Sequence, residues 1–301
     1  MPCLIEMIIV KLMGGIGNQM FQYAAARRLA HVHGATLKID LSWFENCKAD
    51  SPRPYELHIF PIKELIASEK EIDRLKNTGK KRLPGWLLRL FNAADQRRSK
   101  GLIIEKHFHF DPEVLRLPDN VYLDGYWQSE KYFRDIADII RTEFTITVEP
   151  DDKSRQMSEM IGRSEAVSLH IRRGDYAANP VMNQFHGLCS LDYYLKAIEM
   201  IASRVGSPHF FVFSDDPAWV KENLVSAHPT TFIDFNGPKR AYEDMRLMSL
   251  CRHHVIANSS FSWWGAWLCR NPDKIVIAPR QWFKRKDLNT DDLIPERWIR
   301  I

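Results

Sequence analysis

The sequence has no apolar run long enough to span a bilayer, no Cys-x-x-Cys pair and no Asp-x-Asp motif. Its five cysteines (Cys3, Cys47, Cys189, Cys251 and Cys269) are scattered and odd in number. That argues against a disulfide framework or a structural zinc site, and for a reducing compartment. A large excess of charge of one sign is also lacking: 42 Lys and Arg stand against 38 Asp and Glu, a net +4. So small an excess suits an anionic small ligand but does not by itself argue for nucleic acid. There is no internal repeat or low-complexity tract, and no secretory signal pattern, because Glu6 precedes a segment that runs directly into a strand. Met7, where that strand pattern begins, is a second candidate start. The expectation is a cytoplasmic protein.

What is present is 301 residues with 45% hydrophobic content, enough for one large or two medium domains. Ile8–Leu12 reads as a buried strand, Gly14–Gln19 as a glycine-containing loop, Met20–His33 as a helix and Ala35–Leu41 as a second strand ending near Asp40. The middle is less regular. Pro52, Pro54 and Pro61 interrupt it, and His107-Phe-His109-Phe alternates like a strand. Without a nearby Cys or carboxylate pair, those two histidines do not make a metal site. A basic cluster from Lys80 to Lys100 surrounds Trp86-Leu87-Leu88 and Leu90-Phe91. It admits two readings, a surface helix packed by its apolar side or a peripheral contact with the inner membrane face. Val121–Trp127 reads as a strand, Tyr132–Phe144 as a helix and Glu149–Lys153 as a linker, dividing the chain into domains 1–150 and 151–301.

The second half alternates cleanly. Strands are expected at Val167–Ile171, His209–Phe213, Thr231–Asp234, Val255–Ala257 and Lys274–Ala278, with helices between them. Such alternation means an α/β chain with parallel sheets and right-handed crossovers, here two Rossmann-like domains. Three polar clusters, Arg172-Arg173, Asp215-Asp216 and Asn258-Ser259-Ser260, each follow an apolar strand. In an open parallel sheet the carboxyl ends of the strands line the ligand crevice, so the three should meet at one ligand. Paired arginines suit a diphosphate, and a Ser-rich turn opening a helix adds amide donors. Asp215 is a candidate for a ribose hydroxyl or the amino edge of guanine, whereas Pro217 makes Asp216 a natural helix cap. Asp175 is either a general base or a salt-bridge partner of the arginines. Trp263, Trp264 and Trp267 read as core before stacking surface. The Gly15-x-Gly17 pair, with Asp40 downstream, resembles a dinucleotide fingerprint, but Met20 stands at the third glycine position. The loop is therefore expected to approach a sugar or phosphate, not NAD.

Four segments in order, GGIGNQMFQYAAARRLA (Gly14–Ala30), HIRRGDY (His170–Tyr176), FSDDPAWV (Phe213–Val220) and VIANSSFSWWGAWL (Val255–Leu268), resemble the motif set of bacterial α-1,2-fucosyltransferases, glycosyltransferase family 11. Residues 42–121 carry no matching motif. The resemblance implies a GT-B fold, with an N-terminal acceptor-side domain and a C-terminal domain binding GDP-β-L-fucose. It also implies inverting, metal-independent transfer to the 2-hydroxyl of a terminal galactoside, without cofactor. By position it puts Arg172 on the diphosphate, and His170 and Asp215 or Asp216 near guanine and ribose. It brings Gly15, Gly17 and Asn18 to the diphosphate or fucose from the opposite domain. Leaving-group charge must be met by a metal or by fixed cations, and Arg172, with Arg173 and the Ser259–Ser260 turn, is the expected source. The acceptor the resemblance implies is a β-galactoside-containing glycan, lipid-linked or free, with the glycan itself left open. Two other classes stand against this reading: a nicotinamide oxidoreductase using the glycine loop, and a non-catalytic nucleic-acid or membrane module using Lys80–Lys100.

Overall fold

The computed structural model describes residues 6–46, 53–77 and 101–301. The Lys80–Lys100 cluster, Cys3 and Cys47 lie outside the described residues. The chain is mixed α/β with parallel sheets and divides into two compact units. The first holds residues 1–143 and 289–293, the second 144–288 and 294–301. The break thus falls at Glu143/Phe144 rather than at 150, and a short late segment belongs with the first unit.

The first unit is built on β1 (Met7–Lys11), β2 (Thr36–Asp40), β3 (Leu102–Ile104) and β4 (Val121–Asp124). They pair in parallel in the order β2-β1-β4-β3. Helix α1 (Ile16–His33) follows β1 and is buried over most of its surface, with Met20, Phe21, Ala24, Ala26 and Leu29 nearly inaccessible. Further helices are α2 (Ser42–Asn46), α3 (Glu69–Asn77) and α4 (Ala137–Glu143).

The second unit contains β5 (Glu165–Ile171), β6 (Pro208–Ser214), β7 (Thr230–Ile233), β8 (His253–Val255), β9 (Val276–Ala278) and β10 (Ile299–Arg300). Its helices are α5 (Asp152–Gly162), α6 (Gly174–Ala178), α7 (Pro180–His186), α8 (Leu191–Ala202), α9 (Pro217–Asn223), α10 (Ala241–Leu250) and α11 (Ser260–Leu268). The sheet order is β10-β9-β8-β5-β6-β7, every pair parallel. Counted from β5 this is the doubly wound order 3-2-1-4-5-6, whose direction reverses between β5 and β8. Ala166–Ile171 and Phe210–Phe213 are buried throughout, as strands of a covered parallel sheet must be. Val167, Leu169, Ile171, Phe210, Val212, Val255 and Ile277 pack with Tyr194, Ala197, Ile198 and Ile201 of α8.

Four local expectations are corrected. The expected helix Tyr132–Phe144 is two 3₁₀ turns, Glu130–Tyr132 and Arg134–Ile136, followed by α4. Phe133 leaves helical geometry at φ −143°, where it buries its ring 6.2 Å from Phe21, and the Tyr132 hydroxyl accepts from the Asp111 amide at 2.9 Å. Packing overrides helix continuity there. The His107–Phe110 stretch forms no strand, because β3 has already lost its partner at Asp124. The two imidazoles stack instead, with centroids 4.9 Å apart. The polar stretch at 149–153 is no linker: the Asp151 carboxylate accepts from Ser154 N–H at 2.8 Å and opens α5. Strand β8 ends at Val255, two residues earlier than expected.

Candidate active site

The sheet reversal of the second unit puts the ends of β5 and β8 side by side, with Val167 opposite His253 and Leu169 opposite Val255. Arg172 follows β5 directly. Residues 256–259 follow β8 and lead into α11, whose Phe261 ring lies 5.6 Å from that of His170 on β5. A paired-arginine turn and a helix N-terminus therefore flank the switch point, where ligands of this topology bind.

The arginines are held by the acids the sequence singled out. Arg172 Nη2 donates to Asp175 Oδ1 at 2.6 Å, and its Nη1 lies 2.8 Å from Asp215 Oδ2. Burial opposes its charge, but Asp215 and Asp175 outweigh burial and hold the guanidinium more firmly protonated than usual. The Arg173 amide donates to Asp215 Oδ1 at 2.8 Å, and Arg173 Nε donates to Asp216 Oδ2 at 3.2 Å. The Arg173 guanidinium also sits 3.5 Å from the centroid of the Trp219 ring, a cation–π contact. Gly174 permits this closeness, since a Cβ there would fall on the Asp215 carboxylate.

Asp215 thus faces the arginines with both oxygens instead of presenting a free carboxylate to ribose. Asp216 caps α9 through Trp219 N–H at 3.3 Å, as Pro217 suggested. Of the two roles open for Asp175, the geometry is that of the salt-bridge partner. Asp175→Asn retains an oxygen for Arg172 Nη2, so the expected loss in kcat/KM is no more than about 10-fold. A general base contributes ~10²–10⁴-fold, so steady-state kinetics showing a loss of that size would reinstate the base.

Asn258 is also structural. Its amide nitrogen lies 3.0 Å from the His186 carbonyl oxygen, 3.2 Å from that of Gly187 and 3.1 Å from that of Trp282, and its Oδ1 accepts from Cys189 Sγ at 3.4 Å. It ties the turn after β8 to two loops. The Ser259 amide donates to Ala257 O at 2.8 Å and is thus satisfied within the turn. Trp263, Trp264 and Trp267 are fully buried and in mutual ring contact, as core residues.

His170 is buried, its Nδ1 has no partner, and burial beside Arg172 pulls its pKa down to about 3, keeping the imidazole neutral. Two features escaped the sequence. Tyr176 stacks on His186 with centroids 4.4 Å apart, and Arg172 lies 5.3 Å from the Tyr176 ring. Beyond β7, Asn236 Nδ2 donates to Asp244 Oδ1 at 2.8 Å, and burial pushes Asp244 up to about 7. The buried Asn236 Oδ1 has no partner. Only the placement of Asn236 just past a short strand signalled this second polar pair at the crevice edge.

In the first unit, α1 begins at Ile16, with Gly15 as its cap residue, so Gly17, Asn18 and Gln19 belong to its first turn and not to a loop. Gly14 adopts φ 75°, and a Cβ there would lie 2.7 Å from Asn18 Nδ2. Asn18 Oδ1 accepts from Gln128 Nε2 at 2.8 Å. Gln19 is inaccessible and binds Gly14 O, Pro54 O and the Glu56 amide, each at 2.9 Å. Asp40 is buried and accepts from the Tyr122 hydroxyl and from Ser42 N–H at 2.8 Å. It is a structural acid and not a ribose ligand, which removes the acidic partner a nicotinamide site would need.

Comparison with known proteins supplies the class of enzyme. The family model described as "Glycosyl transferase family 11" matches residues 103–301. The chain is 36% identical over 309 residues to an "Alpha-1,2-colitosyltransferase" of Escherichia coli, covering 98% of this chain and 99% of that one. It is 35% identical over 305 residues to the "O-antigen biosynthesis glycosyltransferase WbnK" of the same organism, covering 96% and 99%. Similarity extends to a "Galactoside alpha-(1,2)-fucosyltransferase 1" of Rattus norvegicus, 26% identical over 274 residues, covering 88% of this chain and 64% of that one. The chain belongs to glycosyl transferase family 11.

Proposed function

We propose that the protein transfers L-fucose from GDP-β-L-fucose to the 2-hydroxyl of a terminal β-galactoside, with inversion at the anomeric carbon. The observation that carries this is the Arg172-Arg173 turn, braced by Asp175, Asp215 and Asp216 where the sheet order reverses. Departure of GDP places charge on a diphosphate. A rigid guanidinium beside a helix N-terminus is preorganised to receive it. In this reading Arg172 carries the diphosphate, Arg173 and the Ser259–Ser260 helix end assist, and neutral His170 with Asp244 serves the guanine and ribose end. Gly15, Gly17 and Asn18 serve the fucose or acceptor side. Asp215, Asp216 and Asn258 bind the donor indirectly, by fixing what touches it. The cytoplasmic location and a lipid-linked acceptor belong to the same proposal.

The 36% identity to an α-1,2-colitosyltransferase favours a second donor reading, nucleotide-activated colitose, which is L-fucose without its 3-hydroxyl. The test is a coupled assay of GDP release with GDP-fucose or GDP-colitose over a panel of β-galactosides, with the product linkage read by NMR. We expect galactoside-dependent release that persists in excess EDTA, because arginine replaces the metal ion as the counter-charge. A rate that collapses on chelation would overturn the metal-independent mechanism. Exclusive use of GDP-colitose would reassign the donor.

A further inference from the structure

Inverting transfer needs a group to take the acceptor's proton, and the acid favoured from sequence, Asp175, is engaged by Arg172. The other acids of the arginine turn are engaged as well, Asp215 by Arg172 and the Arg173 amide, Asp216 by Arg173 Nε. His170 lies near Arg172 but is buried.

His186 differs. It is the last residue of α7, in the same unit as Arg172, and the Tyr176 ring links the two. That ring lies 5.3 Å from the Arg172 guanidinium and stacks on the imidazole with centroids 4.4 Å apart and planes 6° from parallel. Phe185 and Phe283 close around the imidazole at 4.8 Å and 5.5 Å, and the His186 carbonyl accepts from Asn258 Nδ2 at 3.0 Å. Ring and backbone are therefore both fixed. Among the described residues no hydrogen bond engages either ring nitrogen. Nδ1 is buried but the residue as a whole is only half-buried, which leaves Nε2 as the nitrogen toward solvent. Burial pulls the pKa down to about 4, with Asp175 raising it and Arg172 lowering it. The other charged groups packed nearby are Lys284, on Asn183 Oδ1 at 2.6 Å, and Arg285, 5.6 Å from the Phe185 ring and paired with Asp287. At any pH above about 4 the imidazole is neutral and able to accept a proton. An immobilised imidazole with an uncommitted nitrogen has the anatomy of a general base.

Resting on the fucosyltransfer reading, we propose that His186 is the catalytic base for the acceptor 2-hydroxyl. As the hydroxyl oxygen bonds to the anomeric carbon, the carbon–oxygen bond to the diphosphate breaks and its electron pair leaves with GDP. The hydroxyl proton passes to His186 Nε2 and from there to solvent. Asp175 offsets the imidazolium charge that results. The diphosphate on Arg172 adds negative charge to the same cluster and offsets the pull of the arginine, so donor binding itself raises the proton affinity of His186. The base is thereby strengthened when the sugar is in place.

His186→Phe separates this role from a structural one, because phenylalanine keeps the stack on Tyr176 and has no ring nitrogen. The measurements are kcat across pH, KM for acceptor and donor, GDP affinity by calorimetry, and Tm. Expected are a kcat at least ~10²-fold lower, with KM for donor, GDP affinity and Tm close to wild type. Wild-type kcat falls at acid pH as His186 is protonated, and this limb disappears in His186→Phe. In His186→Ala, which opens space beside Tyr176, added imidazole restores part of the rate. Histidine NMR on the wild-type protein gives a readout independent of turnover: the His186 titration midpoint rises by ~1 pH unit or more when GDP is bound. A His186→Phe enzyme within about threefold of wild type with the same pH profile, or a His186 midpoint that GDP leaves unchanged, would overturn the base assignment alone. Wild-type protein that transfers sugar from neither donor to any β-galactoside would overturn the functional reading and this inference with it.

Discussion

Arg172→Ala is expected to lower kcat for sugar transfer by ~10²–10³-fold, the cost of removing one preorganised donor from a developing anion. The side chain reaches its position at the end of β5 through two carboxylates, at 2.6 Å and 2.8 Å, and lies along the Tyr176 ring. Alanine removes the charge and also leaves Asp175 and Asp215 facing the crevice without their cation. Diphosphate binding then meets two uncompensated negative charges, so GDP affinity falls together with the rate. Arg172→Lys tests the fork separately from the charge. An ammonium reaches one of the two acids as a point charge but offers no planar pair of donors, so its rate should lie between wild type and Arg172→Ala. Single-turnover rates and GDP calorimetry on the three proteins check this. Arg172→Ala transferring as fast as wild type would remove the arginine from the mechanism.

The crevice was legible because its ingredients sit at strand ends, and strand ends follow from apolar periodicity. Arg172, Asp215 and Asn258 each come after a buried run. What periodicity does not carry is which polar group faces which. Asp215 and Asn258 looked like ligands for a substrate, but one braces two arginines and the other spans three backbone carbonyls. Short acids and amides at turns bond to nearby backbone as readily as to substrate, so residue type does not separate the two roles. The first unit was less legible for a related reason. Its sheet pairs strands far apart in sequence, Ile8 of β1 with Val121 of β4, and Glu56 reaches the start of α1 from 40 residues away. Contacts of that span leave no local pattern. The broken helix near Phe133 failed as a sequence reading for the opposite reason, since its helical spacing is real but burying Phe133 against Phe21 prevails.

Trp264→Ala should act on stability and not on the chemistry. The indole is inaccessible and meets the rings of Phe144 at 5.2 Å, Trp263 at 5.0 Å and Trp267 at 5.2 Å. Its ring neighbours are themselves large and buried, so the cost is that of truncating a core tryptophan, about 3–5 kcal/mol. Against a typical total of ~5–15 kcal/mol, that should depress Tm by on the order of 10 °C. The same helix opens at Ser260 after β8, so under the proposed reading, in which GDP binds only the folded crevice, saturating GDP should return part of the loss. At a hundredfold excess over Kd the linkage is worth about 2.7 kcal/mol. Thermal melts with and without GDP then read both terms at once. The core role predicts a low Tm, substantial rescue by GDP, and a kcat near wild type in the cold. A stacking role for the indole predicts the reverse, with Tm almost unchanged and GDP rescue lost. Trp219→Ala provides the contrast, because that ring is half-buried and lies under the Arg173 guanidinium. Losing it removes a cation–π contact worth roughly 0.5–2 kcal/mol and loosens Arg173, so its signature is a weaker grip on GDP with a smaller fall in Tm.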